Sequence, residues 1–345
     1  MSKNQIVLVG LGSIGSTHLK HISKLFSDII IVDRDSGVAK KAEKILGSKN
    51  YLFLNSVSDI PFSKYLNHAV IANWGPDHFK TLHALHELGI KRYIIEKPIT
   101  DSISDLIKLR KIRDKSNLQI FVNFQWGYSP LNQTLLSVQK KSNIGDLLTV
   151  NVTGGAKCIA TNGIHYLDLA NKLFKDNPIE TMSNMYNSEL NPRQGKFLFL
   201  GGAATWVYGK NRYLNISFSN GSRISPKMEL IFNYGLGIIE GDELSIYRIE
   251  NESISKNKSP TKTFYPTEKI YSGRAFTFPD NSDGLDKIYS KFTERNIKED
   301  NFDSSFKSNL DFFAALLSSN KASSVKLPVK ISRFSSLYYK KWKIS

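Results

Sequence analysis

Cysteine is almost missing from this chain: Cys158 is the one thiol in 345 residues. A lone thiol closes no internal disulfide and cannot begin a thiolate metal cage, so Cys158 is expected as a small buried residue. His, Asp and Glu nowhere fall at metal-ligand spacing, and no Ser nucleophile elbow is present, so no metal site and no serine hydrolase chemistry are expected. Long apolar runs are lacking too. The longest, such as 5–12 and 28–32, fall far short of the ~20 residues of a membrane span. The N-terminal apolar stretch enters a glycine pattern without a small-residue cleavage site, which reads as a strand of a cytoplasmic protein and not as a secretion signal. Acidic residues are few beside basic ones, 31 against 47, for a net charge of +16. The bases are spread along the chain without a recognition motif, which argues against nucleic acid. A positive field would instead speed the arrival of an anionic small substrate such as a sugar nucleotide. The densest basic cluster, Lys340, Lys341 and Lys343, reads as a solvated tail.

What is present is a folded protein with 41% apolar residues, long enough for two domains. In the first third, short β-branched runs at 5–9, 29–32, 69–72, 93–95 and 119–124 alternate with helical patterns at 13–25, 38–46, 78–88 and 104–115. That alternation predicts an α/β domain over 1–123, a doubly wound parallel sheet of the Rossmann type. From about residue 147 the strands lengthen and turns multiply. An Asn220-Gly221 pair between runs 213–218 and 227–233 signals a hairpin. The segment 124–345 is therefore expected as a second α/β domain with a largely antiparallel open sheet, an irregular excursion over 252–283 and a closing helix at 305–318.

The sharpest motif is VLVGLGSIG, residues 7–15, with glycines directly after a strand and before a helix. Gly10 allows the tight turn, Gly12 lets backbone approach a pyrophosphate, and Gly15 lets helix pack on strand. The N–H groups of Gly12, Ser13, Ile14 and Gly15 open the helix toward phosphates. Asp33 ends the second strand, where a carboxylate accepts the ribose hydroxyls of NAD. Arg34 beside it keeps NADP open, because a guanidinium holds a 2′-phosphate or lies over adenine.

The strand at 93–95 runs into Glu96, Lys97 and Pro98, at the crevice where such sheets bind ligands. A lysine beside a cationic nicotinamide favours its neutral form and can exchange a proton with a substrate hydroxyl. Asn73 and His78 follow the strand at 69–72 and approach the same crevice. A second candidate is the helix in 161–174, where Thr161 or Asn162 is expected as cap. Thr161, His165 and Asp168 share its polar side, opposite Leu167, Ala170, Leu173 and Phe174. His165 suits proton transfer near neutral pH, and Asp168 reads as structural.

With the glycine turn, the Glu96-Lys97-Pro98 string and the Gly163-Ile164-His165 helix in that order, the chain resembles the Gfo/Idh/MocA oxidoreductases, named for glucose–fructose oxidoreductase and inositol dehydrogenase. The resemblance spans almost the whole length. It implies an NAD(P)-dependent hydride transfer at a ring carbon of a sugar, cyclitol or sugar nucleotide, with Lys97 and His165 catalytic. Thr161 and Trp126 would lie on the substrate side, and the open sheet would form a homodimer or homotetramer. Three departures touch that side. Thr161 stands where the family commonly has an aspartate, Gly127 where it often has an arginine, and the segment before His165 is short. They leave two other readings: an NAD-using glycoside hydrolase or lyase, and a non-catalytic dinucleotide-binding regulator.

Overall fold

A computed structural model describes residues 5–155, 157–191, 197–219, 221–249, 265–275, 282–295, 299–334, 340 and 342–344. The chain divides into two compact units. Unit 1 holds 1–124, 285–309 and 331–345, and unit 2 holds 125–284 and 310–330. The second domain expected over 124–345 thus returns two late segments to the first. Their side chains explain the return: the Asn301 amide exchanges hydrogen bonds with Val122 N–H and C=O at 2.7 and 2.8 Å, and Asp300 accepts from Ile120 N–H.

Unit 1 is built on strands β1 (Gln5–Val9), β2 (Asp28–Val32), β3 (Tyr51–Leu54), β4 (Leu66–Ile71), β5 (Arg92–Ile95) and β6 (Gln119–Val122). They form a parallel sheet in the order β3-β2-β1-β4-β5-β6, so strand order reverses between β1 and β4. Helices α1 (Ser13–Leu25), α2 (Ala39–Leu46), α3 (His78–Glu87) and α4 (Ile103–Ser116) connect them. The central strands are near-continuous runs of buried Ile, Val and Leu, as a sheet covered on both faces requires. Strand β3 was not among the predicted elements. It is a half-exposed edge of four residues, too short to show a period. The basic C-terminal cluster also differs from expectation. Trp342 and Ile344 are buried, Lys340 lies over the Trp342 ring, and the Trp342 and Lys343 N–H groups bond Asp101. Burial of two apolar side chains outweighs the pull of the lysines toward water. Lys341 lies outside the described residues.

Unit 2 carries β7 (Leu147–Gly154), β8 (Glu180–Asn187), β9 (Leu200–Tyr208), β10 (Arg212–Phe218), β11 (Lys227–Phe232), β12 (Gly235–Glu240), β13 (Glu243–Ile249), β14 (Thr267–Arg274) and β15 (Val325–Lys326). Among the described residues these form one sheet, β14-β13-β12-β11-β7-β10-β9-β8-β15, antiparallel except between β7 and β10. The hairpin expected between β10 and β11 is therefore not formed: the two strands flank β7 and do not pair with each other, and Asn220 lies outside the described residues. A strong local turn signal lost to the longer-range pairing of β7 with both. Strand β14 replaces part of the irregular excursion expected over 252–283; residues 250–264 and 276–281 lie outside the described residues.

Helices α5 (Leu131–Ser142) and α6 (Ile164–Phe174) also belong to unit 2. Helix α7 (Ser282–Thr293) joins unit 1 from Leu285, and α8 (Phe302–Lys321) joins unit 2 from Leu310. The latter covers one sheet face, where Ala315 C=O accepts from Ser183 Oγ and Asp311 C=O from Trp206 Nε1. The opposite face presents Met182, Tyr186, Tyr213 and Ile231 to solvent.

Candidate functional site

In unit 1 the carboxyl ends of β1, β2, β4 and β5 bring the glycine turn, Asp33, Asn73 and Glu96-Lys97 to one edge of the sheet. Gly10 sits at φ +94°, and a Cβ there would come within 2.5 Å of Asn73 N. A Cβ on Gly15 would lie 2.0 Å from Gly10 C=O, so α1 packs on the turn only through a bare glycine. Gly12 is the opposite case: nothing lies within 4 Å of its added Cβ, and it begins α1 without a side-chain cap. The uncapped N–H groups of the first turn, with Ser13 and Ile14 in it, face that open space. A turn crowded on its protein side and open on the other fits a pyrophosphate at a helix N-terminus.

Asp33 is oriented by the same turn. Its Oδ2 accepts from Leu11 N–H at 2.6 Å and its Oδ1 from Asp35 N–H at 3.0 Å. Arg34 does not stand alone beside it: its guanidinium lies 4.2 Å over the Trp74 ring, which is itself exposed. The two make a flat, cationic surface at the end of the crevice beyond Asp33. Trp74 was not picked out by the sequence reading, because a tryptophan after a strand carries no local signal for this pairing.

Glu96 is buried, and the His18 Nε2 and Asn123 Nδ2 atoms both bond its Oε1, at 2.9 and 2.5 Å. Behind it the other His18 nitrogen meets Tyr289 Oη at 2.8 Å. Burial pushes the Glu96 carboxyl up, but His18, Lys97 and Asn123 together outweigh it and hold the group below its ordinary value. Glu96 is thus fixed in the interior directly before Lys97, which is half-buried just past the end of β5. His18, Asn123 and Tyr289 were missed. A histidine in the third position after Gly15 was the one visible trace of this network. His78 is fully buried, with Nε2 3.0 Å from Asn73 C=O and Nδ1 3.0 Å from Pro98 C=O. It ties the loop after β4 to the loop after β5. Burial pulls its imidazole below the ordinary value, while the carbonyls favour the protonated ring.

The remaining predicted residues are in unit 2. Thr161 and Asn162 do not cap α6; they lie in a π-helical turn, Ile159–Gly163, that runs into it. Such turns trade helix regularity for placement of a side chain. The polar side of α6 is not solvent-facing either: Thr161, His165 and Asp168 are all buried, as is Cys158. Against α6 packs a single turn of 3-10 helix, Gln125–Tyr128. Trp126 stacks on His165 at 4.7 Å and 26°, and meets Tyr166 edge-on at 4.7 Å. Lys172 Nζ bonds Asp168 at 2.6 Å and lies 5.2 Å over the Tyr128 ring. Lys172 was missed because its place beside Gly127 is a tertiary contact. Among the described residues no cluster of His, Cys, Asp and Glu could hold a metal ion, and no helix is long and apolar enough to cross a membrane.

Residues 4–124 match the Gfo/Idh/MocA family model, described as an oxidoreductase family with an NAD-binding Rossmann fold. A curated relative, inositol 2-dehydrogenase 3 of Saccharopolyspora erythraea, is 24% identical over 105 residues, which are 30% of this chain and 31% of that protein. An oxidoreductase from Agrobacterium radiobacter, solved in complex with NAD+, L-tartaric acid and magnesium, superimposes with a TM-score of 0.70 at 15% identity, covering 94% of this chain and 98% of the other. The transcriptional regulator Gal80p from Kluyveromyces lactis matches with a TM-score of 0.70 at 14% identity, covering 94% and 91%. At these identities the structural likeness is one of fold.

Proposed function

We propose, from a chain whose residues 4–124 match the Gfo/Idh/MocA oxidoreductase family model, that this protein is an NAD-dependent dehydrogenase or reductase of a sugar, cyclitol or sugar nucleotide. The observation that carries the reading is the open cradle at Gly12 together with Asp33 and with Lys97, next to the buried Glu96, on one sheet edge. NAD, when bound, supplies the acceptor or donor of the hydride. The uncapped α1 N-terminus receives the pyrophosphate, and Asp33 receives the ribose hydroxyls; a carboxylate there favours NAD over NADP. Lys97 holds the substrate hydroxyl and takes or returns its proton. In unit 2, His165, with its ring stacked on Trp126, is the second candidate for proton handling that the family resemblance implies, and Thr161 and Trp126 are the candidate substrate-side residues beside it. The net charge of +16 suits an anionic substrate.

Replacing Lys97 by Ala is expected to cut turnover by about 10²- to 10⁴-fold while NAD affinity, measured by calorimetry, stays near that of the unmodified protein. Unchanged turnover on the substrate found in a sugar and sugar-nucleotide panel would remove Lys97 from the chemistry. A second reading, a dinucleotide-binding regulator, draws on Thr161, whose hydroxyl cannot supply a carboxylate's charge. It predicts firm NAD binding and no turnover across the same panel.

A further inference from the structure

Gly127 and Lys172 are far apart in sequence, yet a Cβ added to Gly127 would meet Lys172 Nζ at 2.1 Å, Cδ at 2.5 Å and Cε at 2.7 Å. The lysine side chain thus runs through the space that any other residue at 127 would fill. A lysine tip is flexible and could in principle swing aside. It is held here by Asp168, 2.6 Å away, whose side chain is 2% exposed against 25% for the lysine. Burial pushes the Asp168 carboxyl above its ordinary value, and Lys172 pulls it part of the way back. Moving the ammonium would leave a buried carboxylate without its cation, so the real cost of a side chain at 127 is the loss of this pair.

The pair also has a place in the geometry around His165. His165, Asp168 and Lys172 follow one another along one face of α6. The turn Gln125–Tyr128 meets the first and the last of these, and Asp168 is tied to it through Lys172: Trp126 stacks on His165, Gly127 admits Lys172, and the Tyr128 ring lies beneath the Lys172 ammonium. We propose that Lys172 is a positioning residue, which clamps the Trp126–Tyr128 turn onto α6 and so sets the stacked orientation of the His165 ring, with Gly127 as the opening it requires. The cation that the family resemblance expected on the turn is delivered instead from the helix. Its consequence for catalysis rests on His165 acting on substrate; the clamp itself does not.

The test reads the His165 ring directly, by carbon and proton NMR of the imidazole in the full chain, where stacking on Trp126 shifts the ring protons upfield. Lys172→Met is expected to lose that upfield shift and to lower the melting temperature by about 5 °C or more. Gly127→Ala, which removes no charge, is expected to do the same, whereas Lys172→Arg retains the shift. The exchanged variant Gly127→Arg with Lys172→Ala, which returns a cation to Asp168 from the turn, is expected to recover it. An unchanged His165 spectrum in Lys172→Met, or in Gly127→Ala, overturns the proposal. Should Lys172→Met fail to fold, the neutral pair Asp168→Asn with Lys172→Met removes the buried charge, and retention of the stacked His165 signal in it is equally fatal. None of these readings uses turnover, so an inactive His165 would defeat the proposed function and leave the clamp standing.

Discussion

His68 shows how far a single side chain can bias this protein. Its ring lies on β4 between Phe26 and Phe292, at centroid distances of 5.3 and 5.2 Å. Burial, with help from Arg92, lowers its imidazole to about 4. Between that value and the ordinary ~6.5 the unfolded chain binds a proton that the folded chain refuses. The neutral ring's contribution is therefore complete above ~6.5 and is lost as pH falls toward 4, by ~3 kcal/mol at most. Urea unfolding at pH 7 and pH 4.5 should show the loss, and His68→Phe should shrink it. His21 and His78, also lowered by burial, keep a residual slope. If His68→Phe leaves the acid loss at its full size, the ring is not the group responsible.

At the scale of an element, the turn between β1 and α1 separates folding from binding. Gly15→Ala places a methyl 2.0 Å from Gly10 C=O, so the turn must open; both stability and NAD affinity are expected to fall, stability by a few kcal/mol (~2–4). Gly12→Ala meets nothing within 4 Å, and Gly12 has φ −69°, so it should melt within about 2 °C of the unmodified protein. Its methyl nevertheless occupies the phosphate cradle, and NAD affinity should drop at least ~10-fold. Equal NAD binding by Gly12→Ala would mean that the cradle is not where the pyrophosphate lies. The role of each glycine could be read from a strand, a turn and a helix in sequence. The crowding on one side and the open space on the other could not, since Ala72 and Asn73 come from the loop after β4.

For the molecule as a whole, the sheet face of unit 2 opposite α8, exposed among the described residues, is the feature with the widest consequence. Met182 is 60% exposed, Tyr186 40%, Ile231 37% and Tyr213 36%, all on the face opposite α8. An apolar face of this kind on an antiparallel sheet is expected to pair with a second copy. Sedimentation equilibrium should give a dimer or tetramer, and Tyr213→Glu with Ile231→Glu should give monomers with intact far-UV circular dichroism. A monomeric parent at micromolar concentration would rule the pairing out.

Within reach of sequence were those features whose cause is local. Strand and helix periods, the glycine turn, Asp33 and the Glu96-Lys97-Pro98 string each depend on neighbours a few residues away, and the parallel sheet of unit 1 follows from their alternation. The α6 stretch was legible as a helix with His165 on it. Out of reach was whatever depends on partners brought from afar. Tyr289 behind His18, Asn301 along β6, the burial of Trp342 and the β7 strand that displaced the Asn220-Gly221 hairpin all join distant segments. So does Lys172 beside Gly127. Local backbone preference and side-chain period decide which elements form, and the burial of apolar area and of paired charge decides what each element meets. The dinucleotide turn was thus determined by the sequence alone, while the setting of His165 was decided only by the packing of a turn on a helix.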